Sequence, residues 1–160
     1  MNQNRVSQPG GELITYQHDI QFYRLTREGI PCFRCGICCQ RYQPYLDLEE
    51  VKLISSKLGI TPEEFLEQYA DARWPSSRSF LIRHNEQGCI FLTTGREKYE
   101  KLCLIHSFKP ACCSAWQAGL QKPECRDGLR LIWSLDLDEF GCISGDEKKI
   151  EEFLNFLKLR

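Results

Sequence analysis

The chain has 160 residues, enough for one compact domain whose core needs no covalent crosslinks. Its 21 lysines and arginines nearly balance its 22 aspartates and glutamates, which gives a formal net charge of −1. This balance excludes a bulk electrostatic attraction to nucleic acid or to an anionic membrane. No apolar run approaches membrane-spanning length, and the polar N-terminus has no signal-peptide core. We therefore expect a cytoplasmic protein.

The N-terminal part of the chain carries few signals of regular structure. Residues 1–15 are predicted to form a flexible arm, and residues 16–160 a single cysteine-cluster metal-binding domain with its motif core at about 30–120. Between Leu13 and Arg27 neither a helical nor a strand period dominates. Gly29-Ile30-Pro31 then ends any regular structure before the first cysteines.

Two amphipathic helices are predicted after the first group of cysteines. Asp47 and Glu50 form a capping pattern at the start of the first helix, which should end at Gly59. Its predicted apolar stripe consists of Leu48, Val51, Leu53, Ile54 and Leu58. The segment 61–64 repeats the capping pattern with proline at the first helical position, and this helix should end before residue 74. We expect both helices to pack over the metal-bearing loop.

The remaining elements are short. Three strands are predicted, over residues 79–83, 89–94 and 102–105, and the first two flank a hairpin signal at residues 85–88. Helices are predicted over residues 111–118 and 123–132, and a last one begins near Asp146. The predicted fold class is therefore α+β and helix-rich: a single small domain of short helices and a small antiparallel β element around a cysteine metal cluster.

Four of the ten cysteines lie in the eight residues Cys32-Phe33-Arg34-Cys35-Gly36-Ile37-Cys38-Cys39. Steps of three bring Cys32, Cys35 and Cys38 within reach of one centre. Thiolates brought together repel each other unless a cation neutralises them, so a metal ion or an iron–sulfur cluster is the natural occupant. Consecutive side chains diverge by about 100° on a helix and about 180° on a strand. Cys39 could therefore reach a second metal, bridge two metals or simply pack.

The expected compartment also bears on the cysteines. A reducing cytosol disfavours structural disulfides, and closely spaced cysteines there are more often metal ligands or redox-active thiols. We therefore interpret the cysteines as thiols.

The later cysteines complete a recognisable pattern. Cys89 opens the segment C-I-F-L, and the segment from Cys103 to Trp116 reads C-L-I-H-S-F-K-P-A-C-C-S-A-W. Together with the first cysteines, these segments resemble the YkgJ-type cysteine-cluster family, also described as the CxxCxxCC zinc- or iron-chelating domain. Its members have C-x2-C-G-x-C-C, then C-x-F-L, then C-x-I-[YH]-x2-R-P-x2-C-R-x-[FW]-P. This chain departs from that pattern at Lys109, Ser114 and Gln117, where the family has two arginines and a proline.

The resemblance implies a set of metal ligands. Aligned residue by residue, it nominates Cys32, Cys35, Cys38, Cys39, Cys89, Cys103 and Cys113. It does not nominate Cys125 and Cys142, which we interpret as small buried hydrophobic side chains. Cys112 stays ambiguous because its neighbour occupies the matching position. His106 could complete a mixed cysteine and histidine site, but the family accepts tyrosine there, which favours a packing or hydrogen-bonding role.

Both zinc and an iron–sulfur cluster fit this ligand chemistry. The C-x2-C-x2-C run resembles the one that supplies three ligands of a ferredoxin cubane, and Cys89, Cys103 or Cys113 could supply the fourth. Seven or eight thiolates, one pair of them adjacent, also suit two tetrahedral zinc ions that share a bridging thiolate. The sequence leaves these alternatives open.

Two functions follow from the pattern. The first is a metal-binding protein whose site is structural or metal-handling, which the lack of other catalytic motifs favours: there is no Gly-rich phosphate loop, H-E-x2-H or nucleophile elbow. The second is an Fe–S oxidoreductase or an S-adenosylmethionine-dependent protein methyltransferase component. The resemblance implies it because the same domain resembles part of the flagellin lysine N-methylases. No catalytic residue is indicated, and we expect neither nucleic acid nor membrane as a partner, whereas a protein partner is compatible with the sequence.

Overall fold

The computed structural model describes residues 30–158, with the exception of residues 75, 77 and 98. The predicted N-terminal arm and residues 16–29 lie outside the described residues. The chain divides into unit 1, residues 1–37 with 117–160, and unit 2, residues 38–116. The prediction of a single domain stays a prediction.

Two capped helices follow the first cysteines in unit 2. Helix α2 (Leu48–Leu58) begins at a capping box: the Asp47 carboxylate accepts the Glu50 N–H at 2.8 Å, and the Glu50 carboxylate accepts the Asp47 N–H at 3.1 Å. Helix α3 (Pro62–Tyr69) begins with the same arrangement at Thr61. Both helices confirm the sequence prediction, because these side chains satisfy amides that have no partner within the first helical turn.

One face of α2 enters the core of unit 2, but it is not quite the predicted face. Val51 and Ile54 are buried, whereas Leu48 and Leu53 of the predicted stripe are exposed. Ser55 takes a place on the buried face, and its hydroxyl donates to a carbonyl of the preceding turn at 3.0 Å. The predicted apolar stripe was therefore wrong at Leu48 and Leu53. Ser55 can occupy the core because its hydroxyl is hydrogen-bonded within its own helix. The core contains Leu46, Val51, Ile54, Phe65, Ile82, Cys89, Phe91 and Ile105.

Within its described residues, unit 2 holds three small antiparallel strand pairs. Strand β1 (Tyr45–Asp47) pairs with β2 (Ser79–Leu81), β3 (His84–Asn85) with β4 (Gly88–Cys89), and β5 (Leu92–Thr94) with β6 (Lys101–Cys103). The predicted hairpin is confirmed only at its tip, because β2 and β5 pair with other strands. Leu46 of β1 and Ile82, the residue after β2, are each about 1% exposed, and this burial competes with a longer hairpin.

Helix α4 (Ala111–Ser114) closes the described part of unit 2 and corrects the prediction of a helix over residues 111–118. The Ala115 N–H still donates to the Ala111 carbonyl at 2.8 Å, but the chain then leaves the helix. The Trp116 ring instead packs against Tyr42, with ring centroids 5.9 Å apart. The helix is therefore limited to about one turn.

Unit 1 contains the C-terminal elements. Helix α5 (Pro123–Gly128) continues into one turn of π-helix at Leu129–Trp133, which confirms the predicted helix in two parts. Strands β7 (Asp136–Leu137) and β8 (Ile143–Ser144) pair, and helix α6 (Glu147–Lys158) follows. The predicted apolar positions of α6 are buried: Ile150, Phe153, Leu154 and Leu157.

Short helices and antiparallel strand pairs make up the described chain, so the predicted α+β class is confirmed. Helix α1 (Ile37–Arg41) carries the last two cysteines of the first group. Over the described residues, none of the helices combines the length and the apolar character needed to cross a bilayer.

Candidate metal centre

All ten cysteines lie among the described residues, and the structure joins none of them in a disulfide. Unit 2 contains six of them, which we call the six-thiol cluster: Cys38, Cys39, Cys89, Cys103, Cys112 and Cys113. Five of these six are predicted ligands, and the sixth, Cys112, was ambiguous. The other two predicted ligands, Cys32 and Cys35, belong to unit 1.

The sulfur atoms of the two consecutive cysteines of α1 lie close to each other. The Sγ atoms of Cys38 and Cys39 are 3.9 Å apart, and both side chains are half-buried. We expected these side chains to diverge. Rotation about each Cα–Cβ bond brings the sulfurs together even though the bonds themselves diverge. Two sulfurs on one tetrahedral zinc ion lie about 3.8 Å apart, given Zn–S bonds of about 2.3 Å, so the observed separation suits a shared metal.

Two further sulfurs of the cluster each have a backbone amide as a neighbouring donor. The Phe91 N–H donates to the Cys89 sulfur, and the Ile105 N–H donates to the Cys103 sulfur, in each case from two residues further along the chain. The side chains of Phe91 and Ile105 are 3% and 1% exposed in the core. Amide donors favour the thiolate form of a cysteine. Burial nonetheless raises the pKa of both thiols, and the two amides only partly oppose this effect.

Gly88 allows the strand that carries Cys89 to approach α1 closely. Its φ is +110°, and a Cβ atom there would lie 2.7 Å from the Gln40 Cα and 2.8 Å from the Cys39 carbonyl oxygen. Only glycine combines this backbone conformation with this contact. The residue before Cys89 therefore packs directly on the backbone of Cys39.

The last two sulfurs of the cluster belong to α4. The Ala111 N–H at the start of this helix donates to the Glu50 carboxylate at 2.7 Å, which ties α4 to the first turn of α2. The Cys112 thiol donates to the Tyr45 carbonyl oxygen at 3.4 Å. A side-chain hydrogen bond also joins Cys112 to Cys113.

Charge on neighbouring thiols contributes to the raised pKa values of Cys39, Cys89 and Cys113. The hydrogen bond with Cys38 and burial raise the pKa of Cys39 far above its ordinary value, and charge on Cys38, Cys89 or Cys113 raises it further. Burial raises the pKa of Cys113 to about 12, with further contributions from Cys112, Cys89 and Cys103. Without a cation, thiols in this arrangement resist deprotonation, because each negative charge opposes the next.

Lys109 brings a positive charge near Cys103. Burial raises the pKa of Cys103, and the positive charge of Lys109 opposes that effect. Lys109 stands where the resemblance has arginine, so the chain keeps a cation at this position. In the described part of the chain, no three histidine, cysteine or acidic side chains stand in metal-binding geometry. The donor set nonetheless fits a thiophilic metal, since it consists of sulfur alone and a cation would relieve the mutual repulsion.

The first two cysteines have different environments in unit 1. Cys32 is exposed, whereas Cys35 is buried against α5, where a Cβ atom at Gly128 would lie 2.5 Å from its sulfur. Arg34 and Gly36, on either side of Cys35, both have positive φ, +52° and +77°. Positive φ is strained for a residue other than glycine, and such strain is concentrated at functional sites.

The cysteines that we did not nominate in unit 1 are both buried, as expected of small hydrophobic side chains. Cys125 lies one helical turn before Gly128 and accepts the Gly119 N–H at 3.5 Å. The sequence analysis missed the contact between Gly128 and Cys35 near Cys125. The only signal of this contact in the sequence was a glycine inside a predicted helix. His106 is exposed at the start of a 3-10 turn (His106–Phe108), and its role stays a prediction.

A small α+β fold with this concentration of interacting thiols defines a class of protein, the metal-chelating cysteine-cluster domains. The family model CxxCxxCC, described as a putative zinc- or iron-chelating domain, matches residues 31–128. The chain therefore belongs to the CxxCxxCC family. The matched residues include all cysteines except Cys142. Neither a curated protein nor a solved structure matches the chain.

Proposed function

We propose that the chain binds metal through cysteine thiolates at a centre that is structural or metal-handling. The observation that carries this proposal is the 3.9 Å separation of the Cys38 and Cys39 sulfurs, within a unit that contains six thiols. The proposed ligands are Cys32, Cys35, Cys38, Cys39, Cys89, Cys103 and Cys113. Cys32 and Cys35 belong to this set on the strength of their spacing and of the family resemblance.

The number of thiols supports zinc over an iron–sulfur cluster. A [4Fe–4S] cluster needs four cysteine ligands, and unit 2 alone offers six. Two tetrahedral zinc ions have eight coordination positions, which the seven proposed thiolates can fill when one of them bridges both ions. When bound, zinc would neutralise the thiolates and crosslink α1, α4 and the strands of unit 2. Since ligands of this kind must be reduced, the proposal includes a reducing compartment, the cytoplasm.

A visible absorption spectrum with metal analysis, on protein purified without oxygen, tests the proposal. We expect a colourless sample with about two zinc ions per chain. A brown sample with iron and acid-labile sulfide would replace zinc by an iron–sulfur cluster and would support a redox enzyme. Protein that neither retains zinc or iron nor takes up either metal after reduction would contradict metal binding altogether.

A further inference from the structure

Unit 2 contains a polar cavity of about 410 Å³ beside β5. It is lined by residues 85–88 at the tip of the β3–β4 hairpin, by all of β5, by Gln40 of α1 and by Lys101 of β6. Its volume lies within the range of ligand sites, about 300–1,000 Å³, but such sites are usually apolar. We propose that this cavity binds a short extended segment of a protein partner, which adds as a further strand to the free edge of β5.

One edge of β5 is open to such an addition. β5 pairs with β6 in a two-stranded sheet, so among the described residues its other edge has no strand partner. Directly after β5, the Gly95 N–H donates to the Glu100 carbonyl at 2.8 Å. Because hydrogen-bonded pairs alternate along an antiparallel ladder, Thr93 is the residue within β5 that bonds to β6. The backbone N–H and C=O groups of Leu92 and Thr94 therefore point to the free edge.

The cavity lies along this free edge. All three residues of β5 line it, although the side chains of consecutive strand residues point to opposite faces of a sheet. A cavity over one face would contact only alternate residues, so this one borders the edge itself. Lys101 reaches it from β6, and its ammonium group donates to the Thr94 hydroxyl at 3.3 Å. Three strand residues give an edge about 10 Å long, which suits a short peptide segment.

The chemical groups in the cavity suit a peptide backbone. Gln40, Asn85 and Gln87 supply amide side chains, each of which carries hydrogen-bond donors and an acceptor. The ionisable lining residues are Lys101 and Glu86, whose charges are opposite. The cavity therefore has no net charge, which disfavours phosphate and other strongly anionic ligands. A peptide backbone is neutral and presents N–H and C=O groups in alternation, as pairing with a strand edge requires.

The cavity borders the candidate metal centre without using its thiols. Gly88 lines the cavity, and its backbone packs on the Cys39 carbonyl. None of the cysteines lines the cavity. The inference therefore goes beyond the proposed function and does not depend on bound metal.

A pair of variants at one residue isolates the free edge. Thr94→Pro removes an N–H that points away from β6, and proline is tolerated in strands at such positions. The matched control is Thr94→Val, which loses the same hydroxyl and its contact with Lys101 but keeps the N–H. Urea unfolding establishes whether both variants fold as the wild-type chain does.

The probe is a library of short random-sequence peptides, selected on the wild-type full chain, and fluorescence anisotropy measures the affinity of the selected peptide. We expect Thr94→Pro to bind that peptide about tenfold less tightly or worse, because a hydrogen bond is lost and the ring blocks the approaching strand. Thr94→Val should stay within about threefold of the wild type. Equal binding by Thr94→Pro and Thr94→Val, or a library that yields no binder, would overturn the inference.

Two measurements on the wild-type chain need no variant. N-methylation of the selected peptide, one amide at a time, should abolish binding at alternate residues only, because every second N–H faces β5. Bound peptide should also slow hydrogen exchange at the amides of Leu92 and Thr94. An N-methylation effect without alternation would contradict strand addition. Slow exchange at both amides without peptide would show that another part of the same chain occupies the edge, which also overturns the inference.

Discussion

Gly128 and Cys35 are in direct contact, since a Cβ atom at Gly128 would lie 2.5 Å from the Cys35 sulfur and 2.7 Å from its Cβ. Helix α5 therefore meets the second cysteine of the motif through its backbone. The Phe33 ring approaches the same point, at 3.2 Å from the added atom, and packs edge-on against Phe153 of α6. The placement of Cys35 thus depends on the absence of a side chain at one residue that is distant in sequence.

The substitution Gly128→Ala should destabilise the protein, although glycine to alanine in a helix usually stabilises by about 1 kcal/mol. The new methyl group would force buried Cys35 to move, and overpacking of this kind costs about 1–3 kcal/mol. Urea unfolding of reduced protein measures the change. In a Cys35→Gly background the penalty should shrink, because the contacting atoms are gone. A stabilised Gly128→Ala protein would contradict the close contact.

Cys89→Ser and Cys142→Ser should differ in metal content. Both cysteines are buried, 8% and 5% exposed, so each substitution places a similar hydroxyl in a similar environment. Cys89 belongs to the six-thiol cluster, and we expect its loss to remove bound metal and to lower stability, because metal-binding energy in small sites is largely folding energy. Metal analysis after dialysis measures the difference. Full occupancy in Cys89→Ser would remove Cys89 from the ligand set.

Glu50→Gln should loosen α4 and thereby the cluster. The two carboxylate oxygens of Glu50 accept two different amides, those of Asp47 and Ala111, and glutamine has only one acceptor oxygen. Loss of one such hydrogen bond costs about 1 kcal/mol. Chemical denaturation would measure the loss, and metal affinity should weaken with it. The control is Glu49→Gln, whose exposed ion pair with Lys52 is worth only about 0.3 kcal/mol; equal effects of both changes would argue against the special role of Glu50.

Asp71 should make the stability of the protein sensitive to acid. Hydrogen bonds from Arg73 and Gln43 hold the pKa of the Asp71 carboxyl well below its ordinary value of 3.8. Because the pKa is lowered in the folded state, its contribution to stability is complete above that ordinary value. The contribution is lost progressively as the pH falls below it. Asp71→Asn should therefore flatten the decline of stability below about pH 4, as measured by urea unfolding at several pH values.

Arg73→Gln is the companion variant for this prediction. It removes the main cause of the lowered Asp71 pKa and should also flatten the decline, while leaving the hydrogen bond from Gln43, 2.7 Å long. An unchanged pH dependence in both variants would show that Asp71 does not control acid sensitivity.

Local chemistry was enough to predict several features of the fold. The capping boxes at Asp47 and Thr61 were recognisable because both partners lie within four residues. The cysteine spacing likewise identified the family, which is defined by order along the chain. The apolar face of α6 followed from helical periodicity.

Features that depend on distant contacts were not predictable. The exchange of strand partners around Leu46, the serine on the core face of α2 and the truncation of α4 at Ser114 each depend on residues far away in sequence. The same holds for the Cys112 thiol, whose neighbour Tyr45 is 67 residues away. A single sequence indicates which residues can bind metal, but the contacts that orient their side chains depend on tertiary packing.

If Cys89 and Cys103 bind metal as we propose, the amides of Phe91 and Ile105 link the thermal motions of the apolar core to the lifetime of the bound ion. Each amide donates to a sulfur while its own side chain is locked among core residues. A fluctuation that loosens the rings and branched chains must also withdraw hydrogen bonds from Cys89 and Cys103. Metal release should therefore become faster when local opening of the core becomes more frequent. Hydrogen exchange at the amides of Phe91 and Ile105 would report the opening of the core and the loss of these hydrogen bonds together.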